Sequence, residues 1–329
     1  MELSIIIPVY NVEKYIARCL DSIYALPMKA EQFEVLCIDD CSPDNSCAII
    51  EEYQKRYTNL RFIHHKENLR QGGARNTGIR EARGEYCMFV DADDSLPQFD
   101  VLALIDYMRK NDLELLLGRS NVIGVDGSIT KWGRSPEAES AIMPGSDIYV
   151  DEFIHKVAFG VVWMGIYKTE LVRRTPPFLE KVQYEDTDWT LRCAYEAKRL
   201  QYKPIVIYNY HNNPGTTTTT RSIKKLIERI KQSLRIYEWA LTTVDRHDEV
   251  VFAAEDYGTS NLNGIAALIK CSYKERRDFY KSFSKNELLM IANWNGGNYT
   301  KLYVKYPVIS QILLYVLHPV YKVYKLLKK

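Results

Sequence analysis

Gly84-Glu85-Tyr86-Cys87-Met88-Phe89-Val90-Asp91-Ala92-Asp93-Asp94 is an apolar run of strand length that ends in three carboxylates within four residues. A short aromatic and β-branched run between a glycine and a polar cluster reads as a fully buried parallel strand over Tyr86 to Val90, rather than as a helix. The acids then stand at the strand's C-terminal end, where ligands bind in open α/β sheets. Carboxylates held this close repel one another, so a bound cation or hydrogen-bond donors must compensate. A divalent ion carrying phosphate oxygens meets that need, because Mg2+ and Mn2+ favour oxygen ligands and use few protein carboxylates. Taken alone, Asp91-Ala92-Asp93 reads equally well as a solvated acidic turn.

The preceding segments repeat the pattern. Leu3 to Val9 reads as a buried strand containing Pro8, and Asn11 as the cap of an amphipathic helix from about Val12 to Tyr24. Phe33 to Ile38 ends in Asp39-Asp40, and a turn over Cys41 to Ser46 leads into a helix from about Cys47 to Arg56. Leu60 to His64 is a further strand, and Gly72-Gly73 opens a helix through about Ala82. Strands alternating with helices predict a parallel sheet with right-handed crossovers. Tyr10-Asn11, Asp39-Asp40 and Asp91-Ala92-Asp93 then converge on one sheet edge, which implies one pocket. The first strand-to-helix turn lacks the dinucleotide-binding glycine fingerprint, and no Walker-type glycine-lysine loop occurs. What remains is a nucleotide-bearing substrate, its base and ribose read by the early acids and its diphosphate held through a metal.

The length of 329 residues suggests two domains, or one with an appendage. With 44 basic against 42 acidic residues, a nucleic-acid partner is not indicated. The seven scattered cysteines read as reduced, buried thiols of a cytosolic protein, and Cys41 and Cys47 lack a second pair at zinc-site spacing. The N-terminus shows no export signal, so a cytoplasmic location is expected.

Together, Ile5-Ile6-Ile7-Pro8-Val9-Tyr10-Asn11, Ile38-Asp39-Asp40 with Ser42, Asn68 followed by Gly72, Gly73, Ala74-Arg75-Asn76 and Gly78, Ala82-Arg83-Gly84-Glu85-Tyr86, and Asp91-Ala92-Asp93-Asp94 resemble glycosyltransferase family 2. The resemblance implies a GT-A fold, a Rossmann-like and mostly parallel sheet with flanking helices. It also implies a nucleotide-diphospho-sugar donor, UDP-sugar by family habit, a divalent Mn2+ or Mg2+, and inversion at the anomeric carbon. Carried over residue by residue, Pro8, Tyr10 and Glu13 would line the nucleoside pocket, Asp40 would accept a hydrogen bond from the base, and Arg75 would sit beside it. Asp91 would contact the ribose side and Asp93 would bind the metal. Plainer roles stand beside these: packing for Tyr10, a helix N-terminal charge for Glu13, a surface ion pair for Arg75. Cys41 departs from the family's usual glycine, where it makes the backbone less permissive of positive φ.

Phe99 to Lys110 reads as a helix, Leu115 to Leu117 as a short strand, and Val122 to Trp132 as a hairpin turned at Asp126-Gly127. Val161 to Tyr167 reads as a buried strand whose Trp163 faces either an acceptor or the core. Tyr184-Glu185-Asp186-Thr187-Asp188-Trp189 opens a helix and resembles the Glu-Asp motif that supplies the family's base. That assigns proton abstraction to Asp186 and a positioning role to Glu185; the competing reading makes these acids, with Asp188, ordinary first-turn charges. After a strand from Pro204 to Tyr210, analogy with GT-A loops makes His211 a metal or phosphate contact and Thr216 to Thr220 with Arg221 phosphate donors, against a plain solvated loop.

Helices are expected over Ile223 to Ala240 and Glu249 to Ile269. The tail from Tyr303 to Lys329, broken by Pro307 and Pro319, is short for a span of ~20 apolar residues. It suits interfacial contact with an anionic leaflet, or packing on the protein's own core. The expected organisation is a catalytic domain over 1–220, its donor half at 1–98 and its acceptor half at 99–220, then a helical region over 221–329. The function expected is metal-dependent, inverting transfer to a saccharide or lipid-linked saccharide in cell-surface polysaccharide biosynthesis. Two other readings are an aspartate-dependent phosphotransferase or hydrolase, in which the acid pair would follow the first core strand rather than the fourth, and a non-catalytic nucleotide-sugar binding module without need of Asp186.

Overall fold

Leu3–Val9 forms β1, and all seven of its residues are buried. It pairs in parallel with β2 (Phe33–Asp39) on one side and β4 (Tyr86–Phe89) on the other. A strand covered on both faces needs no polar alternation, which is why these segments read as continuous apolar runs. The computed structural model describes residues 1–132, 137–149, 161–213 and 223–243, with a few positions between 281 and 290. The chain divides into two compact units, residues 1–219 and 220–329.

In the first unit, α1 (Ile16–Tyr24), α2 (Ser46–Arg56) and α3 (Arg70–Glu81) connect β1, β2, β3 (Leu60–His64) and β4. After α4 (Val101–Lys110) come β5 (Leu115–Ile123), β6 (Ile129–Lys131), β7 (Gly165–Lys168), α5 (Thr169–Arg174), α6 (Glu185–Glu196) and β8 (Leu200–His211). The eight-stranded sheet runs β3-β2-β1-β4-β7-β5-β6, with β8 paired to β5. Pairings are parallel except those of β7 with β4 and β5 and of β6 with β5. The expected mostly parallel α/β sheet is the one found.

Several boundaries differ from expectation. Asn11 does not cap α1: it takes a left-handed φ of 56°, and the helix begins at Ile16 after a turn closed by Tyr15 and Ile16 N–H groups on the Val12 carbonyl. Val162–Met164 is a 3-10 turn and only Gly165–Lys168 is strand. Trp163, 3% exposed, stacks on Tyr208 at 4.4 Å, which places it in the core. β5 and β8 run longer than the expected Leu115 to Leu117 and Pro204 to Tyr210, because a register irregularity between Leu117 and Ser120 bends the pair without ending it.

In the second unit, α7 (Ile223–Thr243) buries Ile230, Leu234 and Ile236. No helix among the described residues is long and apolar enough to cross a membrane. The expected threonine loop at 216–221, the helix over 249–269 and the basic tail at 303–329 lie outside the described residues.

Candidate active site

The C-terminal ends of β1, β2, β4 and β8 put Tyr10, Asp40, Asp91 to Asp94 and His211 on one edge of the sheet. Asp40 is 2% exposed and sits immediately beyond β2. Its Oδ1 accepts the Leu69 N–H and faces His65 Nδ1, both at 2.8 Å, while its carbonyl accepts from Asn68 Nδ2. Its Oδ2 is buried with no protein partner. A buried carboxylate oxygen left this way is costly unless a ligand satisfies it. Pro8 is buried in β1, and Tyr10 presents a ring that is 50% exposed on the rim. The Glu13 carboxylate accepts the Asn45 N–H at 3.0 Å and the Glu13 N–H donates to Asp44 at 2.8 Å, so this residue braces the loop after β2.

Beyond β4 the acids are held in different ways. Asp94 is a structural anchor: its oxygens accept the Tyr208 hydroxyl at 2.8 Å and the His211 N–H at 2.7 Å. The same Tyr208 oxygen accepts the Asp91 N–H at 3.1 Å. Arg18 and Asn213 donate to the Asp93 carbonyl. Burial and the Asp91 charge push the Asp93 carboxyl up to about 6. Burial, aided by Arg18, pushes the His211 imidazole down to about 4, so it is neutral and able to offer a lone pair. Ser95 Oγ fixes His211 Nε2 at 2.8 Å, the arrangement in which a ligating histidine presents its other nitrogen. An undercompensated carboxylate and a neutral imidazole are each able to ligate a divalent ion that also takes phosphate oxygens.

Among the described residues, the group of three possible ligands whose atoms lie within 4.8 Å of one another is Asp39, Cys47 and His64. Hydrogen bonding accounts for it, since Asp39 takes the Ser42 N–H at 2.9 Å and His64 Nδ1 at 3.2 Å. Burial and Asp39 hold the Cys47 thiol up to about 11, which disfavours the thiolate a metal needs. Among the described residues the six cysteines are free.

Arg75, which the resemblance sets beside the base, lies in the interior, 1% exposed, and this excludes the plainer reading of a surface ion pair. Its Nη2 donates to Asp91 Oδ1 at 2.8 Å and its Nη1 to Glu185 Oε1 at 2.6 Å. Its two terminal nitrogens are committed to these carboxylates, while its Nε is buried with no protein partner. Glu185 and Asp186 open α6, following Tyr184 at a left-handed φ of 61°. Glu185 is buried, and Asp186, half-buried, accepts the Thr187 N–H at 2.9 Å. Burial and the Glu185 charge push the Asp186 carboxyl up to about 7, with Arg75 opposing. Asp188 pairs with Arg192 on its own helix at 2.9 Å. The structure thus joins Asp91 to Glu185-Asp186 through Arg75, and Asp93 to His211 through the Asp94 and Asn213 hydrogen bonds. Arg18, Asp94, Asn213 and Tyr208 were not singled out from sequence. Only Asp94 carried a signal there, as the third acid of the run.

The model of the family described as Glycosyl transferase family 2 matches residues 4–175, more than half of the chain. A poly(ribitol-phosphate) beta-glucosyltransferase of Bacillus spizizenii is 31% identical over 215 residues, 64% of this chain and 32% of that protein. The matched segment thus spans about a third of that relative's length. Among solved structures, Staphylococcus aureus TarS 1-349 in complex with UDP-GlcNAc superposes with a TM-score of 0.69 at 21% identity, covering 96% of this chain and 89% of that one. A mannosyltransferase of Pyrobaculum calidifontis in complex with GDP-Man and Mn2+ gives a TM-score of 0.56 at 17% identity, covering 96% of this chain and 86% of that one. The fold is the GT-A α/β architecture.

Proposed function

We propose that this chain, which belongs to glycosyl transferase family 2, transfers a sugar with inversion from a nucleotide-diphospho-sugar to a hydroxyl group of a saccharide or lipid-linked saccharide used in surface-polymer synthesis. A UDP-sugar is the donor class, supported by the Asp40 pocket and by the likeness to a structure solved with UDP-GlcNAc. The observation that carries the reading is the Arg75 bridge between Asp91, beside the metal-suited Asp93, and Glu185, next to Asp186. That bridge supports reading a cation-seeking acid and a carboxylate of raised proton affinity as parts of one site.

Asp186 takes the proton of the acceptor hydroxyl as that oxygen bonds to the anomeric carbon. On the opposite side of that carbon, the bond to the donor's phosphate oxygen breaks, and its electron pair leaves with the nucleoside diphosphate. Asp40 Oδ2 accepts a donor N–H of the base, and Tyr10 offers its ring to the nucleoside. Asp93, with His211, would hold Mn2+ or Mg2+, which supplies Lewis-acid stabilisation of the charge growing on the diphosphate. An aspartyl-phosphate route through the Asp91/Asp93 pair fits less well, because Asp91 is engaged by Arg75. Nucleotide release from UDP-sugars, assayed with acceptor panels, tests the reading. Asp186→Asn is expected to keep donor binding and lose transfer, and near-normal turnover in that variant would remove Asp186 as the base.

A further inference from the structure

The Arg75 guanidinium is the meeting point of charges that burial would otherwise drive toward neutrality. It projects from α3, whose tight approach to its neighbours rests on a glycine: a Cβ at Gly72 would stand 2.2 Å from the Leu179 carbonyl oxygen and 3.0 Å from Glu185 Cγ. The Phe178 ring lies 5.6 Å from the guanidinium. The charges acting on Asp186 are those of Glu185 on its own helix, Arg75 on α3 and Asp91 beyond β4, with the Tyr167 hydroxyl of β7 also coupled to it. The Tyr167 hydroxyl donates to the Val162 carbonyl at 2.8 Å, and burial keeps it neutral. Arg75 is therefore the cation among these groups, set against three carboxylates.

We propose that Arg75 is a positioning residue, resting on the transferase reading above: its fork ties the donor-side Asp91 to Glu185 and favours the ionised form of the neighbouring Asp186, the form that accepts a proton. Two features of the guanidinium serve two ends. Its charge offsets the repulsion among Asp91, Glu185 and Asp186, which would otherwise favour protonating the base. Its planar geometry spans two carboxylates through separate nitrogens, which a single ammonium group does not reproduce. Removing the charge and removing the fork therefore have separable consequences.

The test reads Asp186 directly. In protein carrying carboxyl-13C aspartate, the Asp186 resonance is assigned by its loss in Asp186→Asn and followed against pH, without donor or acceptor. An opposite charge at this range moves a carboxyl by ~1–3 pH units. Arg75→Gln is expected to move the Asp186 midpoint upward by at least ~1 unit. Arg75→Lys is expected to leave the midpoint near that of the native chain while lowering kcat more than it raises the donor KM. Because Arg75→Gln strands buried carboxylates and risks misfolding, the same comparison is made in Glu185→Gln protein, where one charge of each sign is removed. The Arg75→Gln/Glu185→Gln double variant is expected to titrate above Glu185→Gln alone. An unmoved Asp186 midpoint in both backgrounds would overturn the proposal and leave Arg75 a packing residue. The resonance titrates whether or not the chain turns over a nucleotide-sugar, so failure of the transferase reading would appear separately, as absent turnover by the native chain.

Discussion

Asp186 carries a cost that its proposed role explains. A carboxyl raised to about 7 in the folded chain loses its proton at lower pH when unfolded, so its ionisation opposes folding. The penalty grows as pH rises from the ordinary carboxylate range through about 7 and is complete above it. Asp186→Asn is therefore expected to melt higher than the native chain above neutrality and alike near pH ~4, with each ~1 kcal/mol regained worth ~2–4 °C. Cys41 shows a smaller cost: it holds φ at 64° where a glycine would be unstrained. Cys41→Gly is expected to stabilise the chain by up to ~1 kcal/mol in chemical denaturation, less the Sγ contact with the His65 carbonyl. Asp40 and Asp186 are legible because one directly follows a strand and the other opens a helix, and Asp93 because it belongs to the acidic run beyond β4. The Arg75 bridge is not legible in the sequence, because its partner Glu185 is 110 positions away and helix-face reading cannot show which distant acid will meet it.

At the scale of elements, the site depends on how closely α3 approaches the 178–185 segment. Gly72→Ala drives a methyl group into the Leu179 carbonyl, and backbone cannot rotate away as a side chain can. A loss of ~1–3 kcal/mol is expected from denaturant unfolding, with donor-dependent turnover falling further than stability because Arg75 and Glu185 ride on the same contact. A native-like midpoint would show that the segments part without cost. The strand-helix alternation through β4 was legible because each buried strand is a continuous apolar run. Beyond it, Val162–Met164 is as apolar as a strand yet forms a 3-10 turn, since the Trp163 stack on Tyr208 decides its path and such a stack has no local periodicity. The polar residues Arg119 to Asn121 hid the true length of β5 for a similar reason: their pairing with β8 is a tertiary fact.

Across the whole molecule, carboxyls raised by burial and mutual repulsion dominate the pH dependence near neutrality. Asp93, Asp94, Glu185 and Asp186 all hold protons more tightly than their unfolded counterparts, so stability falls as pH rises toward 7. His211, lowered to about 4, acts in the opposite sense but is one group against these four. The metal-free chain is expected to melt higher at about pH 5.5 than at about pH 7.5, and Mn2+ is expected to reverse that order by binding ionised Asp93. A melting point that rises with pH in the absence of metal would contradict the buried-acid description. The measurement that bears most directly on the central claim is calorimetric binding of UDP, GDP and CMP, each with and without Mn2+. Tight binding of one nucleotide, UDP by this account, that requires the metal and is lost in Asp93→Ala is the expected result; no metal-dependent binding to any of the three would contradict it.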